Sequence, residues 1–263
     1  MKREFDGVIK LDVRDSKADW SPYELKRAPP GAPNVLVVLY DDTGLASWSP
    51  FGGRINMPTL QKIADKGLMY SQWHTTALCS PTRSTFLTGR NHHLNGCACI
   101  TEASNGFPGA MGRLPAECVT VGQVLQENGY STFWLGKNHN VPEEDIASGA
   151  SRSEWPLQKG FDRFYGFLGG ETNNWYPDLI EDNRFIDQPY SPEEGYHLSK
   201  DLADKAIGML RDQKSATRRS RGSCGSARAP TTRRITVQRS TPTSTRACSM
   251  TATRPTVNGS CRA

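Results

Sequence analysis

From Ser215 to Ala263 the chain contains no Leu, Phe, Trp or Tyr and no Asp or Glu. A stretch built from Arg, Ser, Thr, Ala, Pro and Gly cannot bury enough apolar surface to offset the entropy of ordering itself. Any folded core must therefore come from the residues before it. Charge breaks at the same place. The last acid is Asp212, and 11 of the 32 Lys and Arg follow it, so the preceding part holds 21 basic residues against all 27 acids. The overall charge of +5 describes neither part. A basic average would suggest nucleic acid or an anionic membrane as a partner, but that signal belongs to the tail alone.

Seven cysteines, at 79, 97, 99, 118, 224, 248 and 261, form an odd set without the paired spacing of a disulfide framework. The N-terminal residues are charged and lack the apolar run of a signal peptide, and no segment reaches the roughly 20 apolar residues of a membrane span. A cytoplasmic location is the expectation.

Residues 1–32 read as a polar arm ending in a Pro-rich stretch. Asn34 to Tyr40 is a continuous β-branched and apolar run, the pattern of a strand buried on both faces, and it stops at Asp41-Asp42-Thr43-Gly44. Pro58 to Lys66 has helical spacing at Leu60, Ile63 and Ala64, with Pro58 in the first turn and Gly67 as a C-terminal cap. Leu68 to His74 reads as a second strand. A helix through Val121, Val124 and Leu125 ends at Asn128-Gly129, and a strand from Tyr130 to Leu135 runs into Gly136-Lys137. Ser199 is a candidate N-cap for a helix using Leu202, Ala203, Ala206, Met209 and Leu210. Strands alternating with helices predict an α/β fold with a mostly parallel sheet flanked by helices. In such sheets ligands bind beyond the C-terminal strand ends, where Asp41-Asp42, Cys79 and Lys137-Asn138-His139 all fall.

Adjacent carboxylates repel one another unless a cation or donors hold them. Asp41 and Asp42 therefore read either as a turn or as ligands for a hard divalent ion such as Ca²⁺ or Mg²⁺. Ser80-Pro81 is a helix start, with Ser80 as the expected N-cap. Cys79 would then face the unpaired N–H groups and dipole of a helix N-terminus, a place that favours an anion. Arg83, one turn on, can turn its planar fork to the same place. His92, His93, Cys97 and Cys99 lack the spacing of a zinc finger and are expected to pack a loop beneath the Thr88-Gly89-Arg90 turn. Trp155, Trp175 and Tyr176 read either as packing or as the lining of a substrate mouth.

Cys79-Ser80-Pro81-Thr82-Arg83, followed by Thr88-Gly89-Arg90, resembles the signature of type I sulfatases of the alkaline phosphatase superfamily. The likeness extends to Pro33 through Asp42, to Met57-Pro58-Thr59-Leu60 and to Leu135 through His139. Asn138 and Asn140 depart from the Gly-Lys-Trp-His-Leu-Gly of most relatives, while Lys137 and His139 keep to it. It spans about residues 32 to 214 and makes 33–214 a partial catalytic domain. The resemblance implies oxidation of Cys79 to formylglycine by a separate maturing enzyme, and a divalent cation, Ca²⁺ before Mg²⁺, held by Asp41, Asp42 and the modified Cys79. One hydroxyl of the hydrated aldehyde would attack the sulfur of a sulfate ester, and the second would then expel sulfate. Arg83 and Lys137 would stabilise the formylglycine and the sulfate, and His139 would serve as base.

The tail admits a specific explanation. Codons permitted for Ser220 to Thr236, read one base early, can encode an apolar strand followed by Ala-Pro-His, which is what the family carries after this helix. The expectation is a frameshift near residue 217 that removes a downstream His, a downstream Lys and the second Asp/Asn pair, leaving an incomplete metal cage and impaired turnover. Two other readings stand beside it. One is a phosphonate or phosphate monoester hydrolase of the same superfamily. The other is a non-catalytic product whose tail at 215–263 is disordered and binds polyanions; for the body, neither nucleic acid nor membrane is expected as a partner.

Overall fold

The computed structural model describes residues 4–21, 26–219 and 238–239. Its best-packed part runs from residue 133 to 209. The segments Phe133–Lys137 (β2) and Arg163–Phe167 (β3) pair in parallel, and Leu179–Glu181 (β4) and Arg184–Ile186 (β5) add antiparallel to give the order β2-β3-β4-β5. Alternate side chains leave opposite faces of a strand, so Phe133, Leu135, Tyr165, Phe167 and Leu179 pack on one side against Leu198, Leu202 and Met209 of the helix Leu198–Arg219 (α4). Trp134, Phe164 and Ile180 pack on the other against Leu87, Val141, Trp155 and Phe161. Every residue of β2 is buried, and each large apolar side chain removed from water in this way contributes about 1.5–3 kcal/mol. Gly136 lies opposite Gly166, where a Cβ on Gly166 would stand 2.1 Å from the Gly136 carbonyl oxygen. Only a residue without a side chain allows β2 and β3 that approach.

Two buried phenols in this body share one acceptor. The hydroxyls of Tyr165 and Tyr196 both donate to Asp201 Oδ2, at 2.7 and 3.0 Å. Burial, then the neighbouring carboxylate, pushes both phenols well above their ordinary range. The helix Val121–Glu127 (α3) opens with a reciprocal cap between Thr120 and Gln123. The α4 helix begins at Leu198, so Ser199 lies inside its first turn and is not the cap. Leu202 and Met209 face the core as expected, while Leu210 is exposed.

The first third is built differently. Only Val37–Val38 (β1) of the apolar run forms a strand, paired in parallel with Gln238–Arg239 (β6), and Val35, Leu36 and Val38 are exposed. The reading of this run as a strand buried on both faces is thus corrected. Too few neighbours among the described residues cover it. The helix Pro58–Ala64 (α1) forms where expected but buries no residue, and Leu68 to His74 is coil rather than strand, with Leu68, Met69, Tyr70 and Trp73 exposed. Without a ladder partner, local β-propensity does not make a strand. The fold is α/β with a mixed sheet flanked by helices. No helix among the described residues is long and apolar enough to cross a membrane. The disorder expected from residue 215 is corrected at 215–219, which continue α4, and at the paired residues of β6; the rest of the tail lies outside the described residues.

Candidate active site

The helix Cys79–Thr88 (α2) carries the nucleophile candidate at its first residue, with Leu78 rather than Ser80 in the capping position. Ser80 is fully buried, and its hydroxyl donates to the backbone carbonyl of His139, so it ties α2 to the loop after β2. Gly89, at φ 65°, closes the helix in the left-handed conformation. Beneath that turn Asn95 donates to Thr88 Oγ1 and to the Arg90 carbonyl, and Cys97 is fully buried with its thiol raised by desolvation to about 11. His92 and His93 stack on each other at 4.2 Å. Cys97 thus packs the loop as expected.

Three segments converge on Cys79. From β2, Lys137 directs its Nζ to Asp41 Oδ2 at 2.6 Å, while Arg83 from α2 places one guanidinium nitrogen 3.1 Å from Asp41 Oδ1 and another 3.0 Å from the Lys137 carbonyl. Arg83 and Lys137 are 1% and 3% exposed. Burial alone would raise the Asp41 carboxyl, but the bond from Lys137 and the Arg83 charge outweigh it and hold it below the usual carboxylate range. His139 brings Nδ1 to 3.1 Å from Cys79 Sγ. Burial by itself would raise the Cys79 thiol, and the His139 contact with Lys137 behind it brings the thiol below its ordinary value. Asp41, Asp42, Cys79 and Arg83 line one cavity of about 250 Å³.

Backbone strain marks the same spot. Of the three non-glycine residues with positive φ among those described, Asp42 (48°) and His139 (55°) belong to the site. Such conformations persist where surrounding bonds over-determine them. Asn138 Oδ1 accepts from the Asn140 amide at 2.8 Å, and Asn140 Nδ2 donates to the Ser80 carbonyl at 3.0 Å. The two asparagines that depart from the common family pattern therefore brace His139. Glu102, on the far side of the imidazole, was not singled out from the sequence, because its 37-residue separation from His139 leaves no local spacing to read. Trp155 is wholly buried and donates to the Asp145 carbonyl, which makes it core and not part of a substrate mouth; Tyr176 is exposed.

The donor set has the hard-oxygen character that Ca²⁺ or Mg²⁺ prefers, but Ca²⁺ takes about six to eight oxygens. Asp41 and Asp42 are the acids on the cavity, and both Asp41 oxygens are already engaged by Lys137 and Arg83. Among the described residues no group of three or more His, Cys, Asp or Glu could hold a metal. The residues described do not by themselves fit a complete cage.

This is an α/β protein whose sheet edge gathers a thiol at a helix N-terminus, a histidine and two buried cations around a carboxylate. The Sulfatase family matches residues 33–219, and the chain belongs to that family. It is 32% identical over 213 residues to an uncharacterized sulfatase of Schizosaccharomyces pombe, covering 73% of this chain and 37% of that protein. It is 33% identical over 145 residues to an arylsulfatase of Klebsiella aerogenes, covering 54% of this chain and 30% of that one. The crystal structure of Ps i-CgsB in complex with k-i-k-neocarrahexaose superposes with a TM-score of 0.61 at 20% identity, over 81% of this chain and 45% of that one. The chain thus spans less than half the length of each of these relatives.

Proposed function

We propose that residues 33–214 form the nucleophile-bearing part of a sulfuric ester hydrolase. The observation that carries this reading is Cys79 at the start of α2 with His139 Nδ1 3.1 Å from its sulfur, beside the buried Asp41, Arg83 and Lys137. Converted to formylglycine by a maturing enzyme, Cys79 would supply a hydrated aldehyde: one hydroxyl oxygen would attack sulfur as the bond from sulfur to the alcohol oxygen breaks, and the second hydroxyl would then give up its proton as the aldehyde re-forms and sulfate leaves. His139 Nδ1 would take the proton at that position. Arg83 and Lys137 would draw the sulfate oxygens toward the N-terminus of α2 and stabilise the charge that builds on them. Asp41 holds both side chains in place, one on each oxygen; together with Asp42 it would offer the protein oxygens to a divalent cation, for which Ca²⁺ suits the hard ligands. All four cysteines among the described residues are free thiols.

A frameshift near residue 217 accounts for the acid-free tail and for a metal site furnished with one pair of acids. On that reading the chain as given binds metal weakly and turns over slowly. Sequencing the coding DNA tests it, since codons that cannot encode the alternative peptide would end the idea. Peptide mass spectrometry across Cys79 tests the nucleophile. The expected mass is that of an aldehyde in place of the thiol, and a wholly unmodified thiol in a host with the maturing enzyme would overturn it. Rates on nitrophenyl sulfate and nitrophenyl phosphonate, each compared with Cys79→Ala, distinguish the sulfatase from its phosphonate-cleaving relative.

A further inference from the structure

Cys79, Arg83, Lys137 and His139 all fall within recognisable motifs, but the imidazole has a partner that no motif contains. Glu102 sits in the short turn Thr101–Ala103 and places its two carboxylate oxygens 2.8 and 3.0 Å from His139 Nε2. An ionised carboxylate only accepts hydrogen bonds. The Nε2 atom must therefore carry a proton, and in a neutral imidazole the lone pair is then left on Nδ1. That atom is the one facing Cys79 Sγ. Thr101 Oγ1 donates to Glu102 Oε2 at 3.3 Å and leaves the carboxylate as acceptor.

We infer that Glu102 is a positioning residue that fixes the His139 tautomer and ring plane, so that Nδ1 is presented as a base to the nucleophile at position 79. A separate part of the fold agrees. A Cβ on Gly170 would lie 2.7 Å from Glu102 Oε1 and 2.9 Å from His139 Nε2, so the glycine leaves just enough room for this pair. The backbone on the other side is equally set. The His139 amide donates to the Leu168 carbonyl at 2.9 Å, and its carbonyl accepts from Ser80. With the backbone held on both flanks, the ring plane and the choice of protonated nitrogen are left to the side-chain contacts, and Glu102 sets both. Burial would raise the Glu102 carboxyl, but the bond to His139 more than offsets this and keeps it in its acceptor form.

This role rests on His139 acting as the base in the proposed reaction, but its test does not need turnover. The full chain, labelled with ¹⁵N-histidine, is compared with Glu102→Gln and Gly170→Ala by long-range ¹H–¹⁵N spectra that report the His139 tautomer, and by the rate at which iodoacetamide alkylates Cys79, with Cys79→Ser marking the site. Unmodified chain shows the proton on Nε2. Glu102→Gln, whose amide can donate as well as accept, brings in the Nδ1-protonated form and slows alkylation about tenfold or more. Gly170→Ala, which displaces the carboxylate without altering its charge, gives the same direction, while far-ultraviolet circular dichroism stays unchanged. A wild-type His139 protonated on Nδ1, or a tautomer and alkylation rate indifferent to both substitutions, overturns the inference. An intact tautomer bias with no sulfate-ester turnover in converted protein would instead count against the sulfatase reading and leave Glu102 its role.

Discussion

Trp134 and Trp73 belong to one chain, yet the first is 1% exposed and the second 67%. The contrast extends to the regions around them. Between residues 133 and 209, two apolar clusters cover both faces of β2 and β3. Between residues 34 and 76, apolar residues of the same kinds lie against solvent, and α1 buries nothing. The site straddles the boundary. Asp41 and Asp42 come from the poorly covered side, and Lys137 and His139 from the well-packed one. Asp41 is joined across it by Lys137 and Arg83. In this protein buried ion pairs, rather than a shared apolar core, fix Asp41 beside Cys79.

Substitutions can break or sharpen that contrast. The largest effect is expected from Asp41→Ala, which leaves Arg83 and Lys137 buried without their counter-charge and should cost about 3–5 kcal/mol in urea melts. Trp134→Ala should cost a similar 3–5 kcal/mol by opening a cavity in the packed half. Equal melts for this variant and the parent would remove the distinction. The packed half should also respond to alkali. Tyr165 and Tyr196 hold their protons above the range where an unfolded chain releases them, near pH 10. The unfolded state then binds fewer protons, so stability is fully present below about pH 10 and falls as pH rises past it. Melts repeated across that range with Tyr165→Phe, which should flatten the fall, check the assignment. Thr120→Ala, removing the cap of α3, should cost about 1 kcal/mol. The smallest change belongs to Trp73→Ala, within about 0.5 kcal/mol; a larger loss would mean that this stretch is covered in solution.

The elements best read from the sequence were those whose stability is local or mutual. α1 begins with its proline at the first turn, α3 stops before Asn128-Gly129, and β2 has neighbours on both faces. The 34–40 run and the 68–74 segment read as strands for sound local reasons, but a strand is completed by its partner, and partners are not encoded locally. Cys79, Arg83, Lys137, His139, Asp41 and Asp42, which their motifs single out in the sequence, do lie together in the structure, and the roles given to them there are a proposal. Their mutual arrangement was not legible. The sequence offered no sign that Asp41 would have both oxygens engaged by cations, or that Ser80 would clasp the His139 carbonyl instead of capping a helix. Glu102 could be found only by geometry.

The burial of α2 bears on the proposed conversion of Cys79. Ser80 and Pro81 are buried, and Arg83 is 1% exposed with its fork committed to Asp41 and Lys137. Under that conversion, a maturing enzyme that reads Cys79, Pro81 and Arg83 together would have to reach them before these contacts form. Conversion and folding would then compete for the same stretch of chain, and the proportion of competent molecules would be decided during synthesis, by which process reaches α2 sooner.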